Sequence, residues 1–300
     1  MSHVTGNFPS HPRSEPIAQR GGMGNYKPGY SDCAIATHLK RTAESEAAFL
    51  LPHIKKTDHL LDVGCGPGTI TTGLAKYATE GTVIGMDISP YVIQKARELA
   101  AEAGMPTHGP GSVVFEEGNI LDRLAYPDNT FDIVYCSQVF QHLKGPDMPL
   151  RALREIRRVL KPDGILATRD TAGQRFYPRN SGLDRLWEDN MRRAADKGEP
   201  DVDPTGPRMP ALLRAAGFDV DGGQVHIGAG TRVFSGSESR KWLAWRAAGQ
   251  LSQGEPLRQA WIDAGISEDA IQQALCAFEK WAETQDAWVV ALQCEMLAWN

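Results

Sequence analysis

The stretch Leu60-Leu61-Asp62-Val63-Gly64-Cys65-Gly66-Pro67-Gly68 restricts the folds open to this chain more than any other. An apolar run ends in an acid, and glycines follow at three alternate positions. Leu60 to Val63 reads as a buried parallel strand, and the glycines let the backbone turn sharply and press against a ligand that any Cβ would repel. This is a nucleotide-binding turn, with a glycine-rich structural turn as the plainer alternative. The dinucleotide fingerprint G-x-G-x-x-G would put its third glycine at position 69, where Thr69 stands. Here the third glycine is Gly68.

A second short strand, Thr82-Val83-Ile84-Gly85-Met86, ends at Asp87, which lies 19 residues past Gly68. An acid at that spacing sits at the tip of the second strand, where its carboxylate can accept hydrogen bonds from both hydroxyls of a ribose. Capping of the next helix falls to Ser89, with Pro90 at the first helical position. The pattern D-x-G-x-G-x-G resembles the first motif of the class I methyltransferases that bind S-adenosylmethionine. In that family the loop wraps the methionine part and ribose of the donor.

At 300 residues and 41% hydrophobic, the chain can bury a full core as one domain with insertions or as two domains. Its net charge of −5 offers no overall basic field to hold a nucleic-acid backbone, so nucleic acid is not expected as a partner. Cys33, Cys65, Cys136, Cys276 and Cys294 stand without a C-x-x-C or a Cys/His cluster. That argues against a disulfide framework and against a structural metal, and fits a reducing cytoplasm. No apolar run approaches the roughly 18 residues that span a bilayer, and the N-terminus lacks the apolar core of a signal peptide. A soluble cytoplasmic protein without a membrane partner is expected, as a monomer or a homodimer.

Residues 1–25 are rich in Ser, Pro, Gly and His and read as a disordered leader, with one domain over 26–300. Tyr26 and Tyr30 precede Ser31-Asp32, a plausible cap for one helix running through Leu39 and Ala43 toward Leu51-Pro52. Arg41 on that helix reads as a solvated side chain or as a partner for the donor's carboxylate. Beyond Asp87, Ile93, Ala96, Leu99, Ala100 and Ala103 recur at helical spacing and Gly104 closes the helix. A third strand over 112–116 leads into Gly118-Asn119-Ile120, where the family carries Gly-Asp and an apolar residue. The Asn119 carbonyl can accept from an adenine amine while Ile120 lies on the ring, with a turn role for Asn119 as the alternative. Asp122 is close enough to share that role.

The fourth strand, Phe131 to Cys136, is followed by Ser137-Gln138-Val139-Phe140-Gln141-His142. The Asp/Asn-Pro-Pro-aromatic element of methyltransferases that act on nucleic-acid bases is absent. The segment is similar to the small-molecule branch related to ubiquinone and menaquinone biosynthesis methyltransferases. His142 is the candidate base, because an imidazole titrates near neutrality, although a His here can also simply fasten the turn. After a helix with Leu150, Leu153, Ile156 and Leu160 inward and Arg151, Arg154, Arg157 and Arg158 outward, Lys161-Pro162-Asp163-Gly164 reads as a turn with positive φ at Gly164. Strand five, 165–168, runs into Asp170, placed near an acceptor to orient its amine or hydroxyl, or else paired with Arg169.

The resemblance covers residues 41 to about 170 and implies a doubly wound α/β fold. This is the Rossmann-like methyltransferase sheet of seven strands, mostly parallel, with strand seven antiparallel. It implies donor contacts from Asp62, Gly64, Cys65, Gly66, Gly68, Asp87, Ile88, Asn119, Ile120, Ser137, Gln138 and Tyr30, and catalytic roles for His142 and Asp170. Farther on, 198–210 reads as a loop, 210–216 as a helix, Gly217-Phe218-Asp219-Val220 as a restarting strand and 288–292 as strand seven. Segments 171–215 and 236–286 are expected to form a helical cap, the second as two or three helices. Trp242, Trp245, Trp261 and Trp281 lie in that second segment, as cap core or as a surface for an aromatic or apolar acceptor. The expected activity is methyl transfer from S-adenosylmethionine to a small metabolite. Methylation of protein or RNA, and donor binding without transfer, are the alternatives.

Overall fold

A computed structural model describes residues 32–143, 145, 147–196 and 203–300; the expected leader and Tyr30 lie outside them. In chain order the first half forms α1 (Asp32–Leu39), α2 (Ala43–Glu46), β1 (His59–Val63), α3 (Thr69–Ala75), β2 (Thr82–Asp87), α4 (Pro90–Glu102), β3 (Ser112–Glu117) and β4 (Phe131–Ser137). There follow α5 (Asp147–Val159), β5 (Leu160–Tyr177), α6 (Asp189–Asp196), α7 (Thr205–Ala216), β6 (Val225–Ser235), α8 (Ser237–Gln250), α9 (Pro256–Asp263), α10 (Glu268–Glu283) and β7 (Trp288–Trp299). The strands make one sheet in the order β3-β2-β1-β4-β5-β7-β6. β7 runs antiparallel to both its neighbours, while β1 to β5 are joined by parallel pairs. The doubly wound sheet is as the sequence implies.

Local chemistry accounts for much of this. Ser89 Oγ accepts the Val92 N–H, Pro90 opens α4, and Val92, Ile93, Ala96 and Ala100 are its buried face. In α5, Ala152, Leu153, Ile156 and Val159 recur at helical spacing and pack on one side of the sheet, with Leu213 of α7 beside them. Leu60, Leu74, Ile93 and Tyr135 share the core of the opposite side. A third core belongs to the cap, where Trp187, Trp261, Phe278 and Trp281 meet, mostly edge to face. Residues from 176–194 and 247–289 build it, whereas α7 lies on the sheet with α5.

Several expectations need correction. The helix expected from Ser31 to Leu51 is broken at Lys40–Thr42, because Thr42 and Ser45 cap each other's backbone N–H groups and start α2 afresh. Positive φ falls on Asp163 (61°) rather than on Gly164. Gly164 is still required, since a Cβ there would lie 2.8 Å from the Lys161 carbonyl oxygen. Arg158 is no solvated cation: it pairs with Glu155 at 2.5 Å and Asp128 at 2.7 Å. The helix expected at 210 starts at Thr205 and carries Pro210 inside it. Residues 217–220 form no strand; Phe218 is buried against α5 and α7, and the sixth strand begins at Val225.

β5 is far longer than expected. Its first part pairs parallel with β4, and from Ile165 to Tyr177 it pairs with β7, across a bulge between Thr171 and Gly173. The cap helices α8, α9 and α10 leave the sheet after Ser235 and return at Trp288, and those two residues are paired partners. No helix among the described residues is long and apolar enough to cross a membrane.

Candidate active site

The carboxyl ends of β1, β2 and β4 converge on the glycine turn, as the crossover rule for parallel sheets requires. Gly64, Gly66 and Gly68 hold φ of 70°, 55° and 79°. A Cβ on Gly64 would come within 2.6 Å of Val139 Cγ2, and one on Gly68 within 2.5 Å of the Phe115 ring. The backbone is therefore pressed into space that any side chain would fill. The N–H groups of Gly64 and Cys65 donate to the Met86 carbonyl, tying the turn to β2. Cys65 directs its thiol into the core beside Gly85, and burial pushes that thiol well above its usual range.

Asp87 stands at the tip of β2. Its Oδ2 accepts the Gly66 N–H at 3.1 Å and its Oδ1 accepts the Ser89 N–H at 3.0 Å. Burial raises its carboxyl above the usual range, while those backbone donors pull the other way. Next to it, Ile88 is exposed. Asp62 is buried and accepts the Thr71 hydroxyl at 2.6 Å, and burial raises its carboxyl to about 7. Asn119 Oδ1 accepts the Leu121 N–H, closing a turn, and Ile120 is buried in the core. Asp122 is exposed and faces Arg151 at 3.9 Å.

α1 lies over the turn: the Thr69 hydroxyl donates to the His38 carbonyl at 3.0 Å. Burial, and then Arg41, hold the His38 imidazolium well below its ordinary range. Between α1 and the turn remains a cavity of about 20 Å³, lined by His38, Arg41, Asp62, Gly64, Cys65 and Ser137 among others. That is space for about one water. A roomier hollow of about 380 Å³, between Arg154, Arg157 and Asn300, lies at the opposite ends of the strands and touches none of these groups.

Ser137 is buried with its Oγ lacking a hydrogen-bond partner. Gln138 is buried and left-handed, with φ of 61°. His142 closes the 3-10 turn Phe140–His142 and is half-buried. Asp170 is 1% exposed and lies beneath that turn, where its Oδ1 accepts the Gln141 N–H at 3.4 Å. Its Oδ2 is buried without a partner, and burial raises the carboxyl to about 7. Arg169 is not its salt partner: Arg169 pairs with Glu46 at 2.5 Å and with Glu295 at 3.0 Å. Glu46 also pairs with Arg232, and the Tyr135 hydroxyl donates to the Glu46 carbonyl. Sequence reasoning missed Glu46, Arg232 and Glu295, and nothing local to them signals the network.

Asp62 and Asp170 give the fold a testable pH dependence. A carboxyl raised from 3.8 to about 7 keeps its proton in the folded state over an interval in which the unfolded chain has lost it. The folded state then binds more protons, so this contribution to stability is largest below about pH 4 and falls as pH rises toward 7. The full shift corresponds to about 4 kcal/mol per group. Asp62→Asn, which keeps an acceptor for Thr71, is expected to gain on the parent as pH rises from 4.5 to 8 in urea unfolding. Parallel curves for the two proteins would overturn this.

Of the four tryptophans within 236–286, Trp261 and Trp281 are buried in the cap core, where Trp187 joins them. Trp242 stacks on Phe234 with the Lys40 ammonium 4.1 Å from its ring centre, and Trp245 is 51% exposed. A family model described as a methyltransferase domain matches residues 61–168. Over 285 residues the chain is 61% identical to the probable methyltransferase ltbC of Aspergillus luteorubrus, covering 95% of this chain and 100% of that one. Over 113 residues it is 38% identical to a demethylmenaquinone methyltransferase of Symbiobacterium thermophilum, covering 37% of this chain and 42% of the relative. The YcgJ protein of Bacillus subtilis, at 18% identity, superposes with a TM-score of 0.51 over 84% of this chain and 97% of its own, a likeness of fold alone. With a near full-length relative of that identity and the glycine turn and Asp87 in place, the chain belongs to the class I S-adenosylmethionine-dependent methyltransferases.

Proposed function

We propose that the protein binds S-adenosylmethionine over the glycine turn and methylates a small, apolar or aromatic metabolite. The observation that carries this reading is the Asp87 carboxylate held by the Gly66 N–H at the tip of β2, where it can accept from both ribose hydroxyls. The close-packed cradle of Gly64 and Gly68 and the unpartnered Ser137 Oγ also fit a ligand that approaches the backbone. Gly64, Gly66 and Gly68 would hold the methionine part, with Arg41 for its carboxylate, Asp87 and Ile88 for the ribose, and Asn119 and Ile120 for the adenine. Asp62 acts from behind, through Thr71 at the start of α3. Bound there, S-adenosylmethionine supplies a methyl group activated by a positively charged sulfur.

The protein's own contribution is alignment of the acceptor, which lowers the barrier through freedom already lost on binding. His142 takes the acceptor proton, and Asp170 positions the turn that carries His142. A small acceptor is supported by the net charge of −5 and by the missing Asp/Asn-Pro-Pro-aromatic element. The demethylmenaquinone methyltransferase relative, whose name denotes a small acceptor, points the same way. The free thiols of Cys65, Cys136, Cys276 and Cys294 fit a reducing cytoplasm.

Incubation with isotopically labelled S-adenosylmethionine and a host metabolite extract, read by mass spectrometry, is expected to label a small molecule. Label on protein or RNA alone would sink that reading. With the acceptor in hand, His142→Ala is expected to lower kcat about 100-fold while donor affinity stays within about twofold. Normal turnover in that variant would remove His142 from catalysis.

A further inference from the structure

The Gln138 side chain is entirely engaged within the protein. Its Nε2 donates to Gln293 Oε1 at 2.6 Å and to the Arg169 carbonyl at 3.4 Å. Its Oε1 accepts from the Thr171 hydroxyl at 2.7 Å and from Gln141 Nε2 at 3.0 Å. An amide with both hydrogens and both lone pairs in use has nothing left to offer a donor molecule. The sequence places Gln138 beside the cofactor, and its amide instead does structural work there.

That work has a definite object. Left-handed backbone at a residue with a Cβ costs of order 1 kcal/mol and persists only where the surroundings enforce it. Gln138 adopts it at the step from β4 into the turn, and its own N–H is fastened to Arg169. The residues that follow touch both halves of the site. Val139 packs against Gly64 of the glycine turn, and His142 closes the 3-10 turn. Gln293, 1% exposed, reaches this point from β7, the strand on which the cap ends.

We propose that Gln293 is a positioning residue for methyl transfer: its side-chain oxygen, with the Thr171 hydroxyl, locks the Gln138 amide and so fixes the 138–142 turn against the donor loop. The inference rests on the donor reading above. It couples the C-terminal strand, and the cap behind it, to the glycine turn through one buried amide bridge. Gln293→Met keeps the volume and removes the acceptor, leaving the buried side-chain Nε2 of Gln138 without its main partner.

The test uses the full chain, with hydrogen–deuterium exchange of each variant and calorimetric titration with S-adenosylhomocysteine. Gln293→Met is expected to speed exchange at 137–143 about tenfold and to weaken S-adenosylhomocysteine several-fold, with β1 to β3 keeping parent protection. Should that variant fail to fold, Thr171→Val removes the second contact and is expected to give the same local signature at smaller amplitude. Gln138→Gly adopts the left-handed conformation unaided, so adding Gln293→Met to it should change little further at the turn. Parent-like exchange in Gln293→Met, acceleration spread evenly over the chain, or strictly additive variants would each overturn the proposal. Failure of the parent to bind S-adenosylhomocysteine would sink the donor reading instead, and the exchange data would still test the bridge.

Discussion

Asp87→Ala is expected to weaken binding of S-adenosylhomocysteine by about 100-fold or more, measured by calorimetry on the folded variant. Two hydrogen bonds from ribose hydroxyls to a carboxylate are worth about 1.5 to 3 kcal/mol each, and every 1.4 kcal/mol is tenfold. The substitution also removes the acceptor that holds the Gly66 N–H, so the turn loses one of its ties to β2 along with the ligand, while those of Gly64 and Cys65 to the Met86 carbonyl remain. Asp87→Asn keeps one acceptor oxygen and should fall between parent and alanine variant. Because burial raises the Asp87 carboxyl, donor affinity should also decline as pH falls through that raised value, since only the carboxylate accepts from both hydroxyls. A dissociation constant within threefold of the parent in Asp87→Ala would refute the assignment.

Glu46→Ala should be the most destabilising single change in the ion network. Arg169 is 1% exposed and Arg232 is desolvated enough for burial to lower its pKa. Both guanidiniums pair with the Glu46 carboxylate. Removing one member of a buried ion pair leaves an uncompensated charge and costs about 3 to 5 kcal/mol. For a chain of this size that is on the order of 10 °C in Tm. Glu295 still holds Arg169 and limits the damage, so Glu46→Ala combined with Glu295→Ala should exceed the sum of the single effects. A Tm within 2 °C of the parent for Glu46→Ala would show that solvent reaches Arg169.

The glycine turn and its surroundings are legible in the sequence because their determinants are local. The strand before Gly64, the spacing to Asp87 and the cap at Ser89 lie within 30 residues, and backbone chemistry alone dictates them. The Glu46 network was invisible for the opposite reason. Its pairs join residues 123, 126 and 186 positions apart, and each side chain alone looks like a solvated charge. Arg158 was half legible: Glu155 stands three positions before it on the same helix, but Asp128 reaches it from the loop before β4. The false strand at 217–220 was a packing error of another kind. Phe218 and Val220 are strand formers, but Phe218 is drawn into the core under α5 and among the described residues no strand pairs there. The bridge from Gln138 to Gln293 and Thr171 is not legible, because a left-handed glutamine leaves no mark in a sequence and its partners lie 155 and 33 positions away.

Ser235 and Trp288 face each other on one rung of the ladder between β6 and β7. Everything between them is thus a closed excursion of the chain, leaving and rejoining the sheet at one place. Closing such an excursion with a tight hairpin connection would preserve every rung of the sheet, and lengthening it costs only the slow logarithm of loop entropy. The ladder therefore tolerates change in this excursion so long as its helices still cover Phe176, Leu183 and Trp187, while the glycine turn and Asp87 are woven into the strands themselves.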